Sequence, residues 1–398
     1  FRVRKFMKLF KSLLVAPATL GLLAPMSATA NEVTISDFTP AEQLAITNSR
    51  VDGLEARLNN IEAGSFSETT SASFSVDFGL GAVDGLGNTT TSTAGSTEAL
   101  SAVYGFQIDL TTSFTGEDSL DISIDAGNAG GATSPLGELD LNGPTGTDEL
   151  TVDGVSYTFP VGDDATVVVG AQGTDGSVLF TTACTYGGPS NTLDDCGNVQ
   201  SAFVGNGTTL GASYAFSDEF TLAVGYAGDG KTATTGLMTK EGLDAVGINA
   251  AYTTDTYGLS VTYASVETAN AKGTAAGVYN DASVALNGYF SPEGFPSISA
   301  GYEFTDVGGA GINSDEKTSF FVGVQFDEVG PGSAGFAVGT EGSITEANNG
   351  IEALMYEAYY SYPVNDGMTI TPLIYAKEAS TATDVDETGI MVKTSFSF

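Results

Sequence analysis

The sequence predicts an all-β protein: a transmembrane, antiparallel, up-and-down β-barrel of about sixteen strands, preceded by a short periplasmic coiled-coil helix. Three observations support this prediction. Apolar and polar residues alternate with period two along most of the chain, and the connections between these runs alternate between short and long. In addition, no stretch of the body approaches the ~20 apolar residues of a membrane-spanning helix.

The composition excludes several functions. The chain has no histidine, so a histidine-based catalytic triad and a histidine-liganded zinc or haem are impossible. Its 13 Lys and Arg against 49 Asp and Glu give a net charge of −36, which opposes nucleic acid as a partner. Two cysteines cannot form a four-thiolate metal site or hold an iron-sulfur cluster. We therefore expect no catalysis, no cofactor, no metal and no nucleic-acid partner.

Residues 1–30 are predicted to be a cleaved signal peptide. The segment has a basic start, an apolar stretch from Leu13 to Leu23 and small residues that end at Ala30. A membrane anchor is the alternative, but the apolar run is short and is flanked or broken by Pro17 and Pro25. The mature chain is therefore expected to be exported and strongly acidic.

Residues 31–65 are predicted to contain a periplasmic helix. Thr39 to Glu42 form a capping box with proline at the first helical position, and Gly64 ends the run. Three heptads at most are marginal for a lone helix, so its apolar stripe needs partners. The partners would be two other copies in a trimeric coiled coil, or the helix would fold against its own barrel. The stripe contains Leu44, Thr47, Val51, Leu54, Leu58 and Ile61.

Residues 66–398 are predicted to form the barrel. In the run 319–326, Phe320, Val322 and Val324 alternate with small or polar residues and one phenylalanine, and other runs repeat this pattern. Alternation alone fits a soluble sandwich as well as an outer-membrane barrel, because the apolar face could point at a core or at lipid.

Connection lengths separate these two folds, because short periplasmic turns against long external loops are typical of membrane barrels. The tight connections are predicted near Gly116 and over 160–163, 217–218, 254–256, 291–294, 327–333 and 363–366. The long ones are predicted over 84–99, 127–148, 173–206, 228–242, 267–278, 305–315, 342–351 and 377–387.

The last residues form an alternating run that ends on an aromatic residue. Ile390, Val392, Thr394, Phe396 and Phe398 share one face. The terminal Phe398, with Phe396, resembles the signal that the barrel-assembly machinery reads. The alternative is an edge strand of a soluble sheet.

Five segments of the chain carry a family resemblance: 50–57 (RVDGLEAR) with Phe66-Ser67, 112–116 (TSFTG), 157–163 (YTFPVGD), 319–326 (SFFVGVQF) and 392–396 (VKTSF). Together they resemble porins of marine cyanobacteria, a branch of the OprB-like carbohydrate-selective porin family. The resemblance implies a homotrimeric outer-membrane channel, often associated with sugar or iron uptake. Most members carry an S-layer-homology domain between signal and helix, but the stretch from Ala30 to Arg50 is too short for it, so we expect this domain to be lacking.

The side chains predicted to line the lumen are mostly acidic. Parity with the apolar face assigns six carboxylates and one lysine to the inner surface. Such a lumen would favour cations, although the acidity could also merely solvate the surface. The predicted pore-lining residues are Asp77, Asp109, Asp121, Asp125, Glu303, Glu357 and Lys393.

The third long connection, 173–206, is the longest and holds both cysteines. Cys184 and Cys196 are predicted to form a disulfide, which would contribute roughly 3 kcal/mol by restricting the unfolded chain. By resemblance to general porins, the stapled loop would enter the barrel and place Asp194 and Asp195 at a constriction. Alternatively, the disulfide only protects an external loop from proteolysis.

The predicted function is passive diffusion of small hydrophilic solutes and cations through a homotrimer embedded in outer-membrane lipid. The chain has no Trp, only Tyr289, Tyr359 and Tyr375 are expected to point inward, and the small inner residues suggest a wide pore. The alternatives are a solute-selective channel for carbohydrate or iron, and a structural or adhesive surface barrel.

Overall fold

A computed structural model describes the chain over most of the predicted barrel. The chain divides into two units, 1–66 and 67–398. The predicted signal peptide and the predicted helix with Leu44, Val51, Leu54, Leu58 and Ile61 lie outside the described residues, apart from Arg50. The described residues are 50, 70–85, 99–129, 136–141, 148–171, 173–202, 207–230, 236–240, 242–272, 275–308, 316–340, 344–345, 353–379 and 385–398.

Sixteen long strands and one two-residue strand make up the regular structure of the described residues. They are β1 (Thr70–Asp84), β2 (Ser101–Thr112), β3 (Ser119–Gly127), β4 (Thr151–Val161), β5 (Ala165–Ala171), β6 (Thr208–Ala215), β7 (Phe220–Gly228), β8 (Asp244–Thr253), β9 (Tyr257–Lys272), β10 (Ala275–Phe290), β11 (Ser297–Asp306), β12 (Glu316–Val329), β13 (Gly332–Thr340), β14 (Ile344–Thr345), β15 (Leu354–Asn365), β16 (Met368–Lys377) and β17 (Glu387–Ser397).

The strands close into one antiparallel barrel. Each long strand pairs with the next along the chain, and β17 pairs with β1 from Ser75 opposite Ser397 to Asp84 opposite Thr388. The short β14 pairs with β12, beyond the end of β13, and β13 pairs with β15. The predicted up-and-down barrel of sixteen strands is thus confirmed. Among the described residues, no helix has the length and apolarity to cross a bilayer.

The period-two pattern sorts side chains to the two surfaces of the wall. Along β11, Ile298, Tyr302 and Phe304 are exposed on the outside, whereas Ser299 and Glu303 between them are buried on the inside. The barrel therefore has an apolar outer surface over its strands, and its core lies within the lumen.

All the short connections except residues 273–274, between β9 and β10, lie at the end of the barrel that holds both termini of the wall. At this end, Phe74 and Phe398 exchange backbone hydrogen bonds of 2.9 and 3.1 Å, and their rings stack at 5.6 Å. Phe396 meets Phe78 edge-on at 6.1 Å. Further aromatic pairs, such as Phe216 with Phe220, lie near the same turns.

One predicted long loop is wrong. The sequence predicts a long connection over 267–278, where Ala, Gly, Asn and Thr show no apolar alternation. In the structure, β9 and β10 continue through this stretch and pair as far as Lys272 opposite Ala275. Backbone hydrogen bonds hold an antiparallel pair without an apolar face, so side-chain pattern alone misses such a hairpin.

Candidate functional site: the lumen and its inner loops

The third long connection folds into the barrel. We call its described part, residues 173–202, loop L3. Its first half follows the inner wall: Thr209 on β6 donates to Thr174 O at 2.6 Å. Asn249 on β8 accepts from Thr181 N at 2.9 Å and donates to Thr181 O at 3.1 Å. Because these wall residues point inward, L3 lies inside the lumen.

Loop L3 then continues across the inner surface to the far wall. Thr185 N donates to Ser299 on β11 at 2.9 Å. The hydroxyl of Tyr186 donates to Glu357 on β15 at 2.6 Å. The loop thereby spans the inner faces from β6 to β15, and the space that the small inner residues leave is filled. The small inner residues favoured a wide lumen, but on this side of the barrel L3 occupies that space, as the resemblance to general porins implies.

A disulfide turns L3 back on itself. Cys184 and Cys196 are bonded, with a Cα–Cα distance of 6.5 Å. In the part of the loop after this turn, Cys196 O accepts from Asn287 on β10 at 2.9 Å. The next residue, Gly197, accepts through its carbonyl from Ser319 on β12 at 2.8 Å. The fold-back thus packs a second layer of loop against β10 to β12.

Two wall glycines allow the loop backbone to approach closely. A Cβ atom on Gly225 of β7 would lie 1.9 Å from Gly176 O, and one on Gly301 of β11 would lie 1.9 Å from Cys196 O. Both clashes are with backbone, which cannot move aside as a flexible side chain can. Glycine at these positions therefore determines where L3 can lie.

Two predicted pore-lining carboxylates hold L3 instead of facing open water. Glu303 is 1% exposed and accepts from the backbone N–H groups of Gln200 and Ser201, each at 2.8 Å. Glu357 is 4% exposed and accepts from Tyr186. Their inward direction follows the predicted parity, but the covering loop makes them anchors.

A second loop segment, L2 (residues 136–141), covers the opposite part of the wall. Glu138 pairs with Lys377 on β16 at 2.5 Å, and Lys393 on β17 donates to Asp140 O. Lys393 also lies 3.5 Å from Asp77 on β1. Asp77 and Lys393, both predicted to line the pore, thus form an ion pair that helps hold L2 in place.

An apolar core lies inside the barrel between the loops and the wall. Leu136 and Leu139 of L2 are buried in it, together with aromatic and aliphatic side chains on the inner faces of β1, β2 and β12 to β17. Tyr359 and Tyr375, predicted to point inward, belong to this core. Its members are Val83, Val103, Leu136, Leu139, Leu141, Tyr186, Leu193, Cys196, Phe321, Ala337, Met355, Tyr359, Leu373, Tyr375 and Met391.

L2 and L3 are joined to each other. Leu139 forms a β-bridge with Ser190, and Asn191 N donates to Glu138 O at 3.0 Å. Thr192 donates to the Glu138 carboxylate at 2.8 Å. The two segments therefore form one inner body, whereas the sequence predicted an inner position for L3 alone.

The wall formed by β2 to β4 carries acidic side chains that are hydrogen-bonded to neighbouring hydroxyls. Asp109 accepts from Ser123 at 2.7 Å, and Asp125 accepts from Thr151 at 2.7 Å. Asp121 accepts from Thr111 at 2.8 Å. These three predicted pore-lining residues lie on the inner face.

A series of mutually repelling carboxylates connects this wall to the inner loops. Asp153 on β4 lies near enough to Asp109 and Asp125 for their negative charges to repel its own. Asp175 of L3 is repelled in the same way by Asp153 and Asp195. The negative charge of Asp140 in L2 repels those of Asp194 and Asp195. We call this set the acidic eyelet; it comprises Asp109, Asp125, Asp140, Asp153, Asp175, Asp194 and Asp195.

Asp194 has the most perturbed loop carboxyl of the eyelet. It stays accessible to water, but the surrounding loop and wall weaken its solvation, which with the charges of Asp195 and Asp140 raises its pKa to about 7. Burial and a neighbouring carboxylate also raise the pKa of Asp195. A charge at Asp194 is therefore lost near neutral pH.

Basic side chains of the inner wall pair with carboxylates outside the eyelet, and Lys393 also donates to the backbone carbonyl of Asp140. Lys317 lies 3.3 Å from Asp281, in addition to the pairs that Lys377 and Lys393 make, so Lys393 is not the sole inward basic residue as the sequence suggested. No ion pair recorded among the described residues involves an eyelet carboxylate. The field in the eyelet is therefore negative.

Sequence reasoning missed Asp140, Asp153 and Asp175. Asp140 and Asp175 lie in loops without periodicity, and Asp153 lies at an irregularity in the pairing of β3 and β4. A bulge shifts the parity from which the inner face is deduced, so no local pattern marked these residues.

Comparison with known proteins shows the porin fold. No protein-family model matches the chain. An uncharacterized protein of Nostoc sp. is 25% identical over 97% of this chain and 75% of its own length. Among solved structures, Pseudomonas putida OprB matches with a TM-score of 0.57 and 13% identity, over 83% of this chain and 94% of that one. An anion-selective porin from Comamonas acidovorans matches with a TM-score of 0.54 and 12% identity, over 83% of this chain and 100% of that one. OmpT of Vibrio cholerae matches with a TM-score of 0.54 and 10% identity, over 84% of this chain and 99% of that one.

Proposed function

We propose that this protein is an outer-membrane porin through which small hydrophilic solutes and ions diffuse passively, with a preference for cations. The acidic eyelet is the observation that carries the proposal, because a passage bounded by carboxylates attracts cations and repels anions. The apolar outer surface of a closed barrel supports a position in lipid, since a closed barrel leaves no unpaired strand edge in the hydrocarbon.

The proposal gives the inner loops the role of setting the size limit. L2 and L3 are tied to the wall by buried hydrogen bonds and ion pairs, so the passage is confined to what they leave beside β2 to β4. The inward-facing Tyr186, Tyr359 and Tyr375 are buried in the apolar core. They are not available as a track for sugar rings, which favours general diffusion over carbohydrate selectivity.

The proposed assembly is a homotrimer, exported with cleavage after Ala30 and inserted by the barrel-assembly machinery through a signal that includes Phe396 and Phe398. One structural relative, OmpT of Vibrio cholerae, is described in a trimer form. No catalytic activity is proposed.

Single-channel recording with purified protein in planar bilayers tests the channel. Discrete current steps are expected, and a complete absence of conductance would instead favour a structural or adhesive barrel. A liposome-swelling series over solute size distinguishes a general pore from a selective one. The permeation rate is expected to decline smoothly with solute size. A sugar or iron chelate that permeates faster than other solutes of its size would favour selective uptake.

A further inference from the structure

Three adjacent short turns enclose a cavity of about 800 Å³ at the rim of the barrel. We call it the rim pocket. It is distant in sequence from L2 and L3, and the channel function does not use it. Its lining includes Asp255, Glu293, Phe295, Asp327 and Glu328.

Two of the three turns that form the rim pocket are held to each other. Ser291 N donates to Thr256 O at 2.6 Å, and the Tyr289 hydroxyl donates to Thr254 O at 2.5 Å. Within the longest of the three turns, Gly294 adopts a φ of +75°, which glycine tolerates. The pocket is thus largely preorganised, which lowers the entropic cost of binding.

Phe295 is an aromatic side chain without an evident structural use. It is 75% exposed at the mouth of the pocket. Phe216, in another short turn, is also exposed but packs against Tyr214 at 4.8 Å and Phe220 at 5.5 Å. No comparable ring contact is recorded for Phe295 in the described part of the chain. An exposed aromatic face beside polar turns is suited to covering by a ligand.

The charges around Phe295 determine the chemistry of such a ligand. Asp255, Glu293, Asp327 and Glu328 are exposed carboxylates, and no basic residue lines the pocket. An anionic partner would be repelled, whereas an ammonium or guanidinium group can lie over the ring and against the carboxylates.

We propose that the rim pocket docks a lysine- or arginine-bearing peptide segment of a periplasmic protein, with one cationic side chain over Phe295. The periplasmic location of the partner rests on the proposed function, because the short turns of a porin face the periplasm. Binding itself does not depend on conduction.

The test uses a biotinylated Lys-Leu-Lys-Leu-Lys peptide and its Glu-Leu-Glu-Leu-Glu counterpart, each bound to streptavidin so that the carrier cannot enter the lumen. Binding to immobilised, detergent-solubilised protein is measured by surface plasmon resonance. The lysine peptide is expected to bind, the glutamate peptide is not, and high salt should weaken binding. Phe295→Ala should weaken it about threefold, and Glu293→Gln with Asp327→Asn about tenfold.

Matched variants control for changes elsewhere at the rim. Phe216→Ala, and Asp163→Asn with Asp218→Asn, alter the same residue types in other short turns and should change affinity less than about twofold. Phe295→Leu keeps apolar bulk without the ring and should behave like Phe295→Ala if the ring is what binds. Heat-modifiable mobility on gels verifies that each variant is folded.

Three results would overturn the proposal: equal binding of both peptides, equal losses in the control variants, or loss of binding when the eyelet variants Asp153→Asn and Asp195→Asn are made. Failure of the channel proposal has a different signature, because a protein without conductance would still bind the lysine peptide at the rim.

Discussion

At the scale of single residues, Asp118 shows how a carboxylate organises a short turn. Its Oδ1 atom accepts from Phe114 N at 2.9 Å and Thr115 N at 2.7 Å, and its Oδ2 atom accepts from the Tyr157 hydroxyl at 2.6 Å. The Tyr157 hydrogen bond, followed by those from Thr115 and Ser113, holds the pKa of Asp118 well below its ordinary value. The turn lies between β2 and β3, at the end opposite the long loops.

Because the pKa of Asp118 is lower in the folded than in the unfolded chain, its stabilisation is present above the ordinary value of 3.8 and is lost as pH falls below it. Asp118→Asn should therefore lower the urea midpoint at pH 7, and this deficit should shrink at pH 3. Asp163→Asn, at an exposed turn position, is the control and should be neutral. An unchanged midpoint at pH 7 would show that the hydrogen bonds contribute nothing.

Asp194 links the charge of the eyelet to pH. Since its pKa is raised to about 7, the carboxylate is largely charged at pH 8 and largely neutral at pH 6. The cation preference measured from reversal potentials should decrease over this interval, and Asp194→Asn should remove the change. A wild-type preference that is constant between pH 8 and 6 would show that Asp194 lies outside the conducting path.

At the scale of elements, L3 is shaped by its disulfide. Replacing both Cys184 and Cys196 by serine removes the covalent link between two residues that are 12 apart in sequence. Loss of this link should lower the stability of the loop by about 3 kcal/mol. Trypsin has no site within 173–206, because this segment contains no Lys or Arg, so limited proteolysis with subtilisin followed by mass spectrometry is the suitable measurement. Faster cleavage within 184–196 is expected, with the barrel intact; equal cleavage rates would contradict the prediction.

Gly301 tests whether L3 restricts the pore. Gly301→Val would place a side chain where Cys196 O now lies, so the returning part of L3 must leave the wall. Single-channel conductance should then change, with an increase on the order of twofold if the loop swings out of the passage. Gly187→Ala, in the same loop but with open space around it, is the matched control. If both variants had the same conductance, L3 would not border the conducting passage.

The wall could be predicted from local sequence pattern, whereas the contacts of the loops that fill it could not. Period-two alternation is a local property, so strands such as β11 and the inward direction of Glu303 follow from it. Whether Glu303 faces water depends on Gln200 and Ser201, about a hundred residues earlier in the chain. Such contacts leave no local periodicity, and the glycines that permit them read as ordinary inner-face residues.

At the scale of the whole molecule, closure of the barrel by β17 and β1 creates one enclosed lumen, and the inner body divides it. The apolar core that includes Leu136, Leu139 and Phe321 occupies one part, and the acidic eyelet marks the other. A composition of 49 acidic residues indicates only an overall negative charge. The fold converts that charge into a local field, because the basic residues Lys317, Lys377 and Lys393 are paired elsewhere on the wall.

The reversal potential in a KCl gradient tests this account most directly. The wild-type channel should show potassium preference, and the triple variant Asp153→Asn, Asp175→Asn and Asp195→Asn should move the reversal potential towards zero. A control variant neutralising three exposed turn residues, Asp163, Asp218 and Asp366, should retain the wild-type value. Chloride preference in the wild type, or equal shifts in the two triple variants, would contradict an eyelet that selects cations.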